Sequence, residues 1–376
     1  MEKSKNADCK MFEIINEEGN ARYGVLKTKS GSYETPFFMP VATKATGKYL
    51  DSADLKRVGV KTIISNAFIL SLSPGVDVIE KFGGIHKFMD FDGNIFTDSG
   101  GFQMYSERFL FGTNEDGIKF KNPFTGEIIL CTPEMDMDFH LKINSDVAMC
   151  LDDMPMYPAS KNRILESLKK THEWARRCKK YHDKNNAKGQ LLFGIAQGGL
   201  IPELRRMSAK VISGIGFDGL ALGGLALGET SQEMYDAVIM GLKNMPKEKI
   251  KYLMGVGTPE RILECVELGI DCFDSRYPTM TARHNQLFTR NGLLMMQKKE
   301  FSEDEKPIEE GCDCPICRKY SRAYINHLIK TQEANVKRLM SLHNLRFMER
   351  LMQDIRTTIK ENSFESFKKE FLEQYK

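Results

Sequence analysis

Eight short segments of the chain are apolar throughout rather than alternating, and each ends on a small or polar residue. They run Pro36–Val41, Lys61–Asn66, Gly93–Asp98, Asp146–Asp152, Leu191–Gln197, Gly219–Gly224, Lys251–Gly255 and Gly269–Asp274. Continuous apolar runs mark strands buried on both faces, as in parallel sheets. Between them, helical periodicity predicts amphipathic helices at Ala53–Val58, Lys161–Lys184, Pro202–Ser213, Ser231–Lys243 and Pro259–Leu268. Eight strands with intervening helices predict an α/β fold of the (β/α)8, or TIM-barrel, class. A doubly wound open sheet is the competitor; the count of eight and the lack of a phosphate-binding glycine fingerprint speak against it.

Three excursions interrupt the repeat. Phe12–Lys29 reads as a hairpin turning at Glu18-Gly19-Asn20, ahead of the first barrel strand. Gly112–Cys131 carries a second hairpin around Pro123-Phe124-Thr125-Gly126, after the third strand. The longest follows the eighth strand: a hairpin at Arg290-Asn291-Gly292, an acidic linker (Glu303–Glu310), a cysteine cluster and a basic run. A closing helix is predicted from His343 to about Tyr375, with Leu345, Met348, Leu351, Met352, Ile355 and Ile359 at helical spacing. The expected organisation is a barrel of residues 1–290 and 344–376 with a subdomain at 291–343 that carries the cysteine cluster.

Composition is ordinary for a globular protein, with 41% hydrophobic and 28% charged residues among 376. No apolar run approaches the ~20 residues of a membrane helix and nothing resembles a signal peptide, so a cytoplasmic protein is expected. Net charge is only +3, but seven basic residues (Arg318, Lys319, Arg322, Lys330, Lys337, Arg338, Arg346) lie between 318 and 346 against Glu333 alone. Such a local basic face suits a polyanionic partner, although a solvated helix surface gives the same pattern.

In a barrel of this class the carboxyl ends of all strands open on one face. Those ends deliver Asn66, Asp98, Asp152, Gln197, Gly224, Met254 and Asp274. Singly, each reads as a strand cap or turn; three carboxylates, two amides and a glycine at one mouth are not what packing alone selects. A carboxylate at Asp152, an amide at Gln197 and a peptide N–H near Gly224 match the edge of guanine, with Phe102 and Met254 available to sandwich the ring. Two further carboxylates, Asp98 and Asp274, suit chemistry at a glycosidic carbon, one as nucleophile and one managing the proton. Cys312-Asp313-Cys314-Pro315-Ile316-Cys317 supplies three thiolates for a tetrahedral zinc site, with His327 or His343 as the fourth ligand. The other six cysteines are scattered through apolar or helical patterns, as small buried thiols are.

Thr97-Asp98-Ser99-Gly100-Gly101-Phe102-Gln103, Phe193–Gly199, Gly223–Glu229, Phe273-Asp274-Ser275 with Pro278-Thr279, and the cysteine cluster with a late His343-Asn344-Leu345 together resemble the tRNA-guanine transglycosylases. The resemblance spans nearly the whole chain. It implies a (β/α)8 barrel with a zinc-bearing insertion that exchanges the wobble guanine of GUN-anticodon tRNAs for a 7-deazaguanine, leaving the backbone intact. It makes Asp274 the nucleophile at C1′ of the ribose and Asp98 the general acid/base. Asp152, Gln197 and Gly224 would read the base edge, Ser99 and Leu225 would line the pocket, and Phe102 and Met254 would stack on the base. One structural zinc would be held by Cys312, Cys314, Cys317 and His343, and Arg283 and the basic subdomain would contact tRNA. The family works as dimers, commonly homodimers. Met280 departs from the pattern, since most members carry an arginine there that holds the anticodon loop. Bulky Leu227 points to a small base such as prequeuosine-1 base, whereas Thr281-Ala282-Arg283 resembles the queuine-using forms. A non-catalytic zinc-containing tRNA-binding subunit of a heterodimeric transglycosylase is the rival; the presence of both Asp98 and Asp274 argues against it. A metal-dependent barrel hydrolase would need histidines at the strand ends, and none are there.

Overall fold

The computed structural model describes residues 10–100, 110–123 and 125–375. Its centre is an eight-stranded parallel sheet of β4 (Phe37–Pro40), β5 (Thr62–Asn66), β6 (Asn94–Asp98), β10 (Val147–Met149), β11 (Leu191–Ala196), β12 (Gly219–Leu222), β13 (Ile250–Leu253) and β14 (Cys272–Ser275). Each strand pairs with its sequence neighbour in the barrel, β14 pairs back onto β4, and a parallel bridge between Val41 and Ile64 closes the ring. All eight segments expected from their apolar runs are therefore strands, in the expected order.

Side chains fill the barrel in layers. Phe37, Phe96, Phe193 and Tyr252 come from alternate strands and meet edge-on around Phe96, with ring centroids 6.1, 5.4 and 6.0 Å from it. Alternation along a strand puts residues i and i+2 on one side, so Asp98 stands one layer above Phe96. All four aromatic residues are buried. The expected N-terminal hairpin gains a third strand: β1 (Phe12–Glu18), β2 (Ala21–Thr28) and β3 (Gly31–Thr35) form an antiparallel sheet. It lies at the amino ends of the barrel strands, where buried Arg22 pairs with Asp271 and the Ser30 N–H donates to Asp146 Oδ1 at 3.1 Å. A charge pair this deep is tolerable because each partner has further bonds, such as the Lys251 N–H to Asp271 at 2.6 Å.

The excursion after β6 is likewise three-stranded, with β7 (Leu110–Thr113), β8 (Ile118–Lys121) and β9 (Ile128–Cys131). The expected late hairpin is β15 (Gln286–Thr289) with β16 (Gly292–Met295). The closing helix differs from expectation in two ways. It begins earlier, spanning Asn335–Lys360, so that His343 and the expected boundary at 343/344 fall inside it. It also stops short, because Asn362 takes a left-handed conformation (φ 55°) and a separate helix runs Phe364–Gln374. Glu18 causes the second start: its carboxylate accepts the N–H groups of Phe364 and Glu365 at 2.7 and 3.0 Å, doing what an N-cap side chain would do from within the helix. Helices at Ala67–Leu72, Val76–Lys81, Ile85–Met89 and Pro133–Ile143 have no counterpart in the expected set.

Candidate active site and metal centre

At the carboxyl ends of the strands, Asp98 closes β6, Asp274 lies in β14, and Asp152 follows β10 by three residues. Asp98 and Asp274 are partly exposed at the mouth, while Asp152 is buried. Burial, reinforced by the negative charges of Asp152 and Asp274, pushes the Asp98 carboxyl up to about 7. Burial also raises Asp152 to about 7, against the Gln197 hydrogen bond that favours its ionised form. Asp98 thus senses both other carboxyls across the mouth, and it holds a proton near neutrality that an exposed aspartate would have lost.

Asp274 is held differently. Its Oδ1 accepts the Tyr252 hydroxyl at 2.5 Å and the Gly255 N–H at 2.8 Å. Burial raises its pKa on balance, and those two donors pull against that rise by favouring the charged form. Tyr252 rises from the aromatic layer, and its hydroxyl carries a polar atom from that layer to the mouth. Neither Tyr252 nor Gly255 was singled out by the sequence pattern. The signal was present, since Tyr252 stands two residues before Met254 on the inward face of β13.

Asp152, Gln197 and Gly224 form one contiguous unit. Gln197 Nε2 donates to Asp152 Oδ2 at 2.6 Å, and its side chain lies across the turn after β12. A Cβ added at Gly223 would sit 2.6 Å from Gln197 Nε2, and one at Gly224 2.3 Å from Gln197 Oε1. Gly224 also has φ +68°, so space and backbone both exclude a side chain there. Beyond it, the buried Glu229 carboxylate accepts the N–H groups of Ala226 and Leu227, fixing Ala226 at φ 60°. Leu225 is buried beneath this turn. Met254 reaches it through its N–H, which donates to Leu222 O at 3.2 Å. Ser99 is buried beside Asp98, and its hydroxyl has no partner among the described residues. Phe102 lies outside the described residues. Asn66 has the plain role of a strand end: it caps the next helix, accepting the Ile69 N–H at 2.8 Å. Arg283 lies in the last turn of the helix Tyr277–Arg283 that follows β14, with Nε donating to Thr279 O at 3.1 Å. Met280 lies on the same helix, half-buried.

The cysteine cluster meets the long helix. Cys312, Cys314, Cys317 and His343 bring their ligand atoms within 4.8 Å of one another, and this group can hold a metal ion. The three Sγ atoms lie 3.9, 3.5 and 3.3 Å from His343 Nδ1. A tetrahedral ion with metal–sulfur bonds of about 2.3 Å needs ligand separations of roughly 3.5–3.8 Å, so the donor set fits one closed site. His343 Nε2 is 2.7 Å from Phe288 O, which assigns the proton to Nε2 and leaves Nδ1 to the metal. His327 is exposed on the helix Arg322–Lys330 and takes no part. The neighbouring Asn344 accepts the Phe288 N–H and donates to Pro278 O at 2.9 Å and Gln286 O at 3.1 Å. The candidate metal site and the helix and hairpin that follow β14 are therefore joined through one helical turn.

Four of the seven basic residues between 318 and 346 are engaged within the protein. Arg322 pairs with Asp304, Arg338 with Asp54 and Arg346 with Asp313, while Lys337 donates to Arg283 O and Asn285 Oδ1. Arg318, Lys319 and Lys330 stay exposed.

No helix among the described residues is long and apolar enough to cross a membrane. Residues 17–376 match the family model described as queuine tRNA-ribosyltransferase. The queuine tRNA-ribosyltransferase of Staphylococcus epidermidis is 43% identical over 359 residues, covering 96% of this chain and 94% of that protein. The protein of the same name from Dehalococcoides mccartyi is 44% identical over 365 residues, covering 96% and 92%. That from Staphylococcus aureus is 43% identical over 359 residues.

Proposed function

The chain belongs to the queuine tRNA-ribosyltransferase family, whose members are pentosyl-transferring enzymes, and from that premise we propose that it exchanges the wobble guanine of GUN-anticodon tRNAs for a 7-deazaguanine, either prequeuosine-1 base or queuine. Asp274 attacks C1′ of the ribose and guanine leaves, protonated from Asp98. The incoming base, deprotonated by Asp98, then displaces Asp274, so two inversions give retention overall. Asp152, Gln197, Gly224 and Leu225, with Ser99, Phe102 and Met254, read and stack the base. Arg283 and the exposed basic residues contact the tRNA backbone. Cys312, Cys314, Cys317 and His343 hold one zinc ion, whose closed ligand set gives it a structural part. The active assembly is a cytoplasmic homodimer.

The observation that carries this reading is the contrast between two neighbouring carboxyls. Burial raises both, but Asp274 accepts from Tyr252 and Gly255, donors that pull it back toward the charged form, whereas the charges of Asp152 and Asp274 push Asp98 further up, to about 7. A nucleophile and an acid are wanted side by side, and environments that push two titrating groups apart are how such roles are divided. The direct test is trapping. With guanine-labelled tRNA, Asp274→Asn should still bind tRNA but give no adduct that survives a denaturing gel, and an adduct in that variant would remove Asp274 from the role. Asp98→Asn should slow label release by about 10²–10⁴-fold; near-normal release would count against its acid/base part.

A further inference from the structure

Arg205 has none of its surface exposed and no carboxylate within hydrogen-bonding distance among the described residues. Its fork is spent on three carbonyls instead. Nε and Nη2 donate to Gly199 O at 3.1 and 2.7 Å, and Nη1 donates to Ala196 O at 3.0 Å and Gly223 O at 2.9 Å. Those oxygens belong to the end of β11, the turn that follows Gln197, and the end of β12. The opposite charge on Glu229 acts only at longer range. Keeping an unpaired guanidinium out of water is costly, and an apolar side chain would pack this position more cheaply. What the arginine supplies is direction. In a planar trans peptide the carbonyl and the following N–H point opposite ways. Anchoring Gly223 O on the inner side therefore turns the Gly224 N–H outward to the mouth, beside Gln197.

We infer that Arg205 is the positioning residue of the base-reading edge, holding the Gly223 peptide so that the Gly224 N–H and the Gln197 amide present fixed donors to the carbonyl oxygen of a purine base. The inference deepens the base-exchange reading and rests on it. A purine with that oxygen should gain from Arg205, and one without it should not.

Arg205→Lys keeps the charge and removes the planar fork, since one ammonium cannot serve three carbonyls in a plane. In the folded variant, checked by circular dichroism and metal content, the Kd for guanine should rise about tenfold or more, equal to about 1.4 kcal/mol. Binding of 2-aminopurine, which lacks the carbonyl oxygen, should change less than about twofold, and so should tRNA binding. A merely structural arginine would weaken both purines alike, and an unchanged guanine-to-2-aminopurine ratio overturns the inference. If Arg205→Lys does not fold, hydrogen exchange on the unmodified protein decides. The Gly224 amide should be protected by guanine and not by 2-aminopurine; equal protection by both overturns the inference. Asp152→Ala separates the two levels. Guanine binding by that variant at the unmodified strength sinks the base pocket itself, whereas its loss together with a normal Arg205→Lys sinks only the part given to Arg205.

Discussion

Asp98 and Asp152 set the response of the protein to pH through single carboxyls. Both titrate near 7 when folded, against an ordinary value of 3.8. The folded state therefore binds protons that the unfolded chain has already released, and stability from these groups is complete below about pH 4 and lost as pH rises through about 7. Asp98→Asn removes that penalty. Urea melts should show the variant more stable than the unmodified protein by on the order of 2 kcal/mol at pH 8, with the difference closing toward pH 4. A difference that does not vary with pH would mean Asp98 is not perturbed. Tyr252 invites a second measurement at this scale. Tyr252→Phe deletes the 2.5 Å bond to Asp274, and a bond to a charged group is worth about 1.5–3 kcal/mol. Adduct formation should slow by about 10–100-fold in single-turnover assays while tRNA affinity holds. These tuned groups differ in legibility. Asp98, Asp152 and Asp274 stood out because a charge ending an apolar run is conspicuous. Tyr252 did not, since its ring packs as an ordinary core aromatic and only its hydroxyl serves the site.

The element that integrates the molecule is the helix Asn335–Lys360. His343 turns to the cysteines and Asn344 to Pro278, Gln286 and Phe288, so one turn of helix serves both the metal centre and the segment after Asp274. An ion held by these four groups would, on removal, free three thiols and the imidazole at once. Chelation should lower the melting temperature, and amide exchange should rise first in residues 286–330 and only later in β10–β12. Uniform exchange across the chain would argue against a local metal contribution. Asn344→Ala leaves the Phe288 N–H and the Pro278 and Gln286 carbonyls unserved, for a cost of about 2–4 kcal/mol by denaturant melts. The strands were readable because an apolar run ended by a polar residue is a local property. The break at Asn362 was not, because the carboxylate that starts the next helix is Glu18, at the other end of the chain. Arg205 was hidden for a related reason: an arginine on an amphipathic helix reads as a surface residue until its fork is seen on three carbonyls.

Across the whole molecule, charge is less available than the sequence suggests. The run between 318 and 346 looked like a single basic face, yet four of its members are engaged within the protein, Arg322 inside the cysteine-bearing segment and Lys337, Arg338 and Arg346 between separate segments. If tRNA binds there, the salt dependence of affinity should follow the exposed remainder. Replacing Arg318, Lys319 and Lys330 with Gln should flatten the slope of log affinity against log salt by roughly 2. Arg338→Gln, which breaks the pair with Asp54, should cost stability and leave that slope alone. The reverse pattern would relocate the tRNA face. The aromatic layer of Phe37, Phe96, Phe193 and Tyr252 sets a further condition on this scale. It makes the barrel a well with one opening, with no rear exit for a base. In the proposed exchange, outgoing guanine and its replacement must queue at the same doorway, and neither can pass the other. Free guanine should then compete directly with the incoming base for the emptied pocket, so the direction of traffic is set by which base is more abundant outside.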